Sequence, residues 1–573
     1  MVAADHGRCS DIGAQVLQDG GNAVDAAVAT ALCQGVYNPM ASGIGGGHFM
    51  LIRLPNGTAE VIDAREVAPA AANESMFQGA PEKSVRGGLA VGVPLELRGL
   101  AMAHKRHGQL AWSRIVEPSI EPAARGFPAH PYLVAALEAQ NVTRLVSEFP
   151  LLRDTFLVLD AKGWRIPRVN ETCCARPSLA KLLQDVADNG AEVLYSGKYA
   201  EGLVAEIAAA GGVVSLQDLQ QAQPALRLPL RTRAMGVELV TAPPPSSGVA
   251  VLAALKILAG YDLPLAGSGT LGVQRLVEAM KHAFALRTNL GDPGPAWGGN
   301  SSMAGAAVDP LGSWDTASMG EPFVNLTAVL RDMLSNAYTR ELRALIRDNS
   351  TLNTTEYGGR WGVGQAGVPP EDHGTSHISV VGPDRMAVAV TTTVNGGFGS
   401  KVFSKTTGLV LNNQMDDFST PGTANQYGLA PAPANYIRPG KRPLSSMSPM
   451  MVEQGGELRA VVGASGGPRI ISAVLQTLVR VLAYGEDLFA AVANPRLHHQ
   501  LLPGTLFAED WETAQGGVTF SYNNRTLQAL AQRGHEVKAT DWGGVTQAIF
   551  VSPEDGVLTG VSDPRKDGAP AGM

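Results

Sequence analysis

Residues 372–395, DHGTSHISVVGPDRMAVAVTTTVN, restrict the folding of this chain more than any other segment. Two strand-like runs flank Gly382-Pro383-Asp384-Arg385, a turn sequence centred near Asp384, so the runs are expected to pair antiparallel. That pairing sets Thr375 opposite Thr393 and places a second hydroxyl beside the first. His377 and Ser379 alternate with Ile378 and Val380, the pattern of a strand with one buried face and one polar face. Thr375 also stands where an internal residue can become a new amino terminus. A hydroxyl whose own α-amine is freed by backbone cleavage carries nucleophile and general base on one residue. Asp, Gly, Thr and Ser before a strand are equally ordinary turn formers, so DHGTS taken alone leaves both readings open.

At 573 residues and 45% hydrophobic content the chain is long enough for two to four domains or one large interleaved α/β unit. Its 66 glycines and 37 prolines, at this polarity, indicate many tight loops in a folded protein. Net charge is −7 and no long basic block occurs, which argues against nucleic acid as a partner and favours a small-molecule substrate. The longest helix-like apolar run, Gly248 to Ala259, is interrupted by Lys256 and is shorter than the roughly 20 residues that cross a bilayer. It reads as a buried helix.

Met1 is followed by Val-Ala-Ala-Asp-His, without the basic start or apolar stretch of a signal peptide. Asn-x-Ser/Thr sequons stand at Asn73, Asn141, Asn300, Asn325, Asn349, Asn353 and Asn524. Cys9 and Cys33 are open to disulfide formation, whereas Cys173 and Cys174, adjacent in the chain, are not expected to pair with each other.

A helix is predicted from Asn22 to Tyr37, with Asn22 as its cap and Asp25 three residues on. The following NPMASGIGGG is a loop, either a buried crossing or a ligand-facing segment. Further helices are expected at Leu95–Arg106, Tyr132–Ala139, Pro177–Asn189, Leu271–Asn289, Ile471–Leu482 and Arg525–Arg533. Strands are expected at Ser376–Val381, Met386–Val394, Gly408–Leu411 and Leu458–Val462. Ser301 to Gly374 reads as the least regular region, ending in an accessible Gly/Pro-rich stretch suited to cleavage. Strands with helices outside them favour a layered α/β unit.

The stretches GGNAVDAAVA, GIGGGHF, DAREVAP, DHGTSHISV, LNNQMDDFS, RPLSSMSP, GASGG and SDPRKDGAPAG together resemble the γ-glutamyltransferase (glutathione hydrolase) family over nearly the whole chain. The resemblance implies an αββα N-terminal nucleophile hydrolase sandwich. It implies a precursor cut at Gly374-Thr375 into a large subunit, 1–374, and a small subunit, 375–573, which stay together as a heterodimer. It implies hydrolysis of glutathione and other γ-glutamyl amides, or transfer of the γ-glutamyl group to amino acids or dipeptides, without metal or organic cofactor.

The site residues follow from the same resemblance. Thr375 is the nucleophile, with Thr393 beside it and the backbone N–H groups of Gly466 and Gly467 as oxyanion donors. Arg65, Ser445 and Ser446 receive the α-carboxylate, which a guanidinium fork matches in two parallel hydrogen bonds. Asn395, Gln414 and Asp417 receive the α-amino group. Gln414 replaces the Glu found in some members, and Asp416 is expected to point away as a structural residue. Tyr427 lies in the stretch corresponding to a lid. His373 departs from the usual residue before Gly374. Cys9 and Cys33 match a disulfide position of animal-type members, which goes with an extracellular or cell-surface enzyme whose anchor or signal peptide is missing from this chain. The alternatives are a related acylase acting on other amides, or an uncleaved, inactive homologue that serves as a binding protein.

Overall fold

The computed structural model describes residues 1–262, 269–294, 323–362, 374–422, 431–511 and 520–572. Two six-stranded antiparallel sheets lie face to face. The first runs in the order Val2–Ala4, Gly374–Val381, Ala387–Asn395, Gly47–Arg53, Ala59–Ala64, Ala225–Arg227. The second runs Leu558–Ser562, Val545–Val551, Glu457–Ser465, Met450–Gln454, Val237–Thr241, Leu230–Ala234. Helices Gly7–Gln18, Ala23–Tyr37 and Glu96–His107 cover the outside of the first sheet, while Gly248–Leu258 and Arg469–Leu482 cover the second. The result is an αββα sandwich. No helix among the described residues is long and apolar enough to cross a membrane.

Strand alternation distributes the apolar side chains between two cores. Phe49 and Leu51 join the core shared with the second sheet and its helices, whereas Met50 and Ile52 join the core under the outer helices of the first sheet. Asn22 caps Ala23–Tyr37 through a reciprocal box: its side-chain oxygen accepts from the Val24 and Asp25 N–H groups, and Asp25 accepts from the Asn22 N–H at 3.0 Å. This helix is buried on nearly all sides, as its apolar sequence requires, and Gly248–Leu258 is buried throughout.

Several expectations need correction. The polar face of Gly374–Val381 is buried too, because it meets the second sheet. The His377 ring pairs with Thr391 Oγ1 at 2.8 Å and Ser379 Oγ at 3.2 Å, and Ser379 donates to the Gln547 carbonyl. Burial holds the His377 imidazole down at about 3, so it is neutral at ordinary pH. Gly408–Leu411 forms no strand, only an isolated bridge between Phe403 and Val410. The region read as least regular contains the helices Thr327–Leu334 and Asn336–Leu345, the second capped by the Ser335 hydroxyl; each is one short amphipathic segment beside long polar stretches. Cys173 and Cys174 do form a disulfide, contrary to the expectation drawn from their adjacency, with Cys174 turned to a positive φ of 68°. Cys9 and Cys33 are joined, tying Gly7–Gln18 to Ala23–Tyr37.

Candidate active site

The hairpin places Thr375 directly opposite Thr393, and the register shifts by one residue between Gly374 and Thr375. Gly374 pairs with Asn395, so Val394 is the extra residue of a β-bulge, and Asn395 takes a positive φ of 75°. The bulge turns Thr375 toward its neighbour: the two threonine Oγ1 atoms are 3.0 Å apart. Thr393 Oγ1 donates to the Gly374 carbonyl oxygen and accepts the Asn395 N–H at 2.9 Å. The Thr375 hydroxyl and the Gly374 carbonyl therefore meet at the one Thr393 hydroxyl. Strand Gly47–Arg53 continues the row, with Gly47 opposite Thr393.

The loop before Gly47 is a buried crossing. A Cβ on Gly46 would fall 1.9 Å from the Thr393 carbonyl oxygen, so only glycine allows this close approach.

Thr375, Thr393, Arg65, Asn395, Gln414, Asp417, Ser445, Ser446 and Gly467 line one cleft. Arg65 comes from the end of Ala59–Ala64 and is almost wholly buried. Its guanidinium donates to Asp417 through Nη2 and to the Pro443 carbonyl through Nε at 3.2 Å. Asp417 closes the short 3-10 turn Gln414–Asp417 and also accepts from Gln414 Nε2 at 2.8 Å. Thus the expected carboxylate reader and ammonium reader hold each other in this structure. Asp416 points elsewhere, as expected, onto the Ser84 hydroxyl, from a tight 3-10 turn. The Ser445 Oγ accepts from the Met447 N–H at 3.1 Å.

Gly466 and Gly467 form the turn between Glu457–Ser465 and helix Arg469–Leu482, both with positive φ (117° and 56°). Neither backbone N–H has an acceptor among the described residues, and the helix N-terminus adds partial positive charge nearby. Only Gly467 of the two lines the cleft. Tyr427 and His373 lie outside the described residues.

The site contains groups that the sequence reading did not single out. Arg287, the last residue of helix Thr270–Arg287, lines the cleft and donates to Ser446 Oγ at 3.1 Å. Lys566 donates to the Thr375 carbonyl oxygen at 2.8 Å, to Asp5 at 2.7 Å and to Ser465 Oγ at 2.8 Å. Membership of the motif SDPRKDGAPAG was a signal for Lys566; Arg287 carried none beyond its place at the end of a predicted helix. Glu66 lies behind Arg65, fully buried, 3.7 Å from its Nη1 and without a hydrogen-bond partner from another residue. Burial pushes its carboxyl up to about 8, and Arg65 opposes that rise.

The family model described as Gamma-glutamyltranspeptidase matches residues 9–297 and 314–573. Glutathione hydrolase 2 of Arabidopsis thaliana is 41% identical over 581 residues, spanning 100% of this chain and 93% of the relative. Glutathione hydrolase proenzyme 1 of Schizosaccharomyces pombe is 36% identical over 583 residues, spanning 100% of this chain and 84% of the relative. Among solved structures, the cephalosporin acylase of Bacillus halodurans superposes with a TM-score of 0.79 at 24% identity, covering 100% of this chain and 95% of that one, a likeness of fold.

Proposed function

Because the chain belongs to the gamma-glutamyltranspeptidase family, whose chemistry is γ-glutamyl transfer and hydrolysis by a self-processing protein, we propose that it cleaves itself at Gly374-Thr375 and then acts on glutathione and related γ-glutamyl compounds. The observation that carries this reading is the bulge that holds the Thr375 hydroxyl 3.0 Å from the Thr393 hydroxyl while Thr393 donates to the Gly374 carbonyl. In maturation, Thr375 Oγ attacks the Gly374 carbonyl carbon and the Thr375 nitrogen leaves as the amine, which converts the amide to an ester. Water then cleaves the ester, leaving a carboxylate on Gly374 and a free α-amine on Thr375.

In turnover that amine takes the Oγ proton as Oγ attacks the γ-glutamyl carbonyl. The Gly466 and Gly467 N–H groups stabilise the oxyanion. The departing amine leaves with a proton, and the γ-glutamyl-threonine ester passes its acyl group to water or to an acceptor amino acid or dipeptide. Arg65, Ser445 and Ser446 hold the α-carboxylate, and Asp417, with Asn395 and Gln414, holds the ammonium. Substrate thereby separates the Arg65–Asp417 pair and gives each member a partner of its own.

N-terminal sequencing and a two-substrate assay test this reading. The small fragment is expected to begin at Thr375, and Thr375→Ala is expected to remain a single chain on a denaturing gel. Both fragments in that variant would remove the assignment. With a γ-glutamyl donor and glycylglycine the kinetics are expected to be ping-pong; absence of γ-glutamyl-glycylglycine would restrict the enzyme to hydrolysis.

The Cys9–Cys33 disulfide supports placement outside the cell or at its surface. Intact mass is expected to rise by two hydrogens per bond on reduction, and two free thiols at these positions would count against that placement.

A further inference from the structure

Arg287 is a buried cation for which the mechanism above has no use. Only about 5% of it is exposed, and no carboxylate forms an ion pair with it among the described residues. Its Nε donates to Ser247 Oγ at 2.8 Å and its Nη2 to Ser446 Oγ at 3.1 Å; its Nη1 has no acceptor among the described residues. A guanidinium removed from water with no carboxylate in contact is costly, and the attraction of Asp417 in the same cleft and the place of Arg287 at a helix C-terminus offset only part of that cost. Burial brings it down to about 10, so the charge persists at neutral pH.

The hydrogen bonds around it have a common direction. Ser446 Oγ accepts from Arg287 and Ser445 Oγ accepts from the Met447 N–H, so each hydroxyl retains its own O–H as an unspent donor. Two residues with hydroxyl donors to spare and one with a guanidinium arm to spare thus line the cleft that also holds Thr375. Arg65, by contrast, already has Nη2 on Asp417 and Nε on Pro443. We propose that Arg287 is a second guanidinium of the α-carboxylate pocket, which binds the substrate's carboxylate directly through Nη1 and orients the Ser446 hydroxyl toward it. This rests on the γ-glutamyl reading and adds a specificity-determining residue from the large segment of the chain.

The test compares γ-glutamyl p-nitroanilide with 4-aminobutyryl p-nitroanilide, the same acyl group with hydrogen in place of the α-carboxylate. In Arg287→Gln, kcat/KM for the γ-glutamyl substrate is expected to fall about 30-fold or more, mainly through KM, the scale set by removing one partner of a buried charge pair. The rate with the 4-aminobutyryl substrate is expected to stay within about threefold of wild type, since it has no carboxylate to lose. If that turnover is below detection, inhibition constants of glutamate and 4-aminobutyrate give the same comparison.

Arg287→Lys retains charge without the fork and is expected to fall between wild type and Gln. Equal losses with both substrates, or no loss with the γ-glutamyl substrate, would overturn the proposal. So would failure of both variants to mature, which would assign Arg287 to folding. Wild-type protein that turns over neither substrate would instead remove the γ-glutamyl reading itself.

Discussion

Glu66, beside Arg65, is held far from its chemistry in water. Its carboxyl is fully buried, its titration is pushed up to about 8 first by burial, and Glu96 and Asp417 push in the same direction. A free glutamate ionises near 4.3. Between these values the unfolded chain has lost a proton that the folded protein keeps, so stability is full below the lower value and declines as pH rises to about 8. Glu66→Gln has no proton to lose at this position. Its melting temperature relative to wild type is therefore expected to rise between pH 5 and pH 8.5, by the equivalent of on the order of a few kcal/mol. Parallel curves for the two proteins would show that Glu66 ionises normally in the fold.

The strand pair Gly374–Val381 and Ala387–Asn395 does more than carry the proposed nucleophile. Its bulge sets the direction of Thr375 Oγ and the position of the carbonyl it is proposed to attack. Space there is limited: a Cβ on Gly374 would lie 2.5 Å from the Gly396 carbonyl oxygen and 2.6 Å from that of Met40, both backbone atoms. Overpacking of this kind costs about 1–3 kcal/mol, and each 1.4 kcal/mol is tenfold in rate, so Gly374→Ala is expected to mature about tenfold to a hundredfold more slowly. A gel time course of precursor loss measures this. Once matured, the variant is expected to turn over normally, because residue 374 then belongs to a chain end outside the catalytic step. Maturation at the wild-type rate would mean that the bulge does not hold the scissile carbonyl where it is seen here.

At the scale of the molecule, both sheets mix the two segments on either side of Gly374-Thr375. Gly374–Val381 is flanked by Val2–Ala4, Ala387–Asn395 pairs with Gly47–Arg53, and Met450–Gln454 pairs with Val237–Thr241. Separating the segments would expose strand edges in both sheets and open both apolar cores. The cleaved protein is thus expected to elute as one species in native buffer and to resolve into two fragments only in denaturant. A small fragment that elutes alone in native buffer would contradict this.

Much of this was legible in the linear chain, and for local reasons. The Thr375–Thr393 pairing follows from two alternating runs about a Gly-Pro-Asp turn, and the Asn22 cap from a side chain that satisfies N–H groups two and three residues away. The layered α/β class follows from the order of such elements, and the family motifs marked the residues around the cleft. Tertiary structure alone decided that the polar face of Gly374–Val381 is buried, because that face acquires its neighbours only when the second sheet closes over it. It also decided that Cys173 pairs with Cys174, that Arg65 and Asp417 bind each other, and that Arg287 and Lys566 reach the site. Periodicity and caps act over a dozen residues or fewer, whereas this cleft joins residues 65, 287, 375, 417 and 446 through sheet register and helix packing.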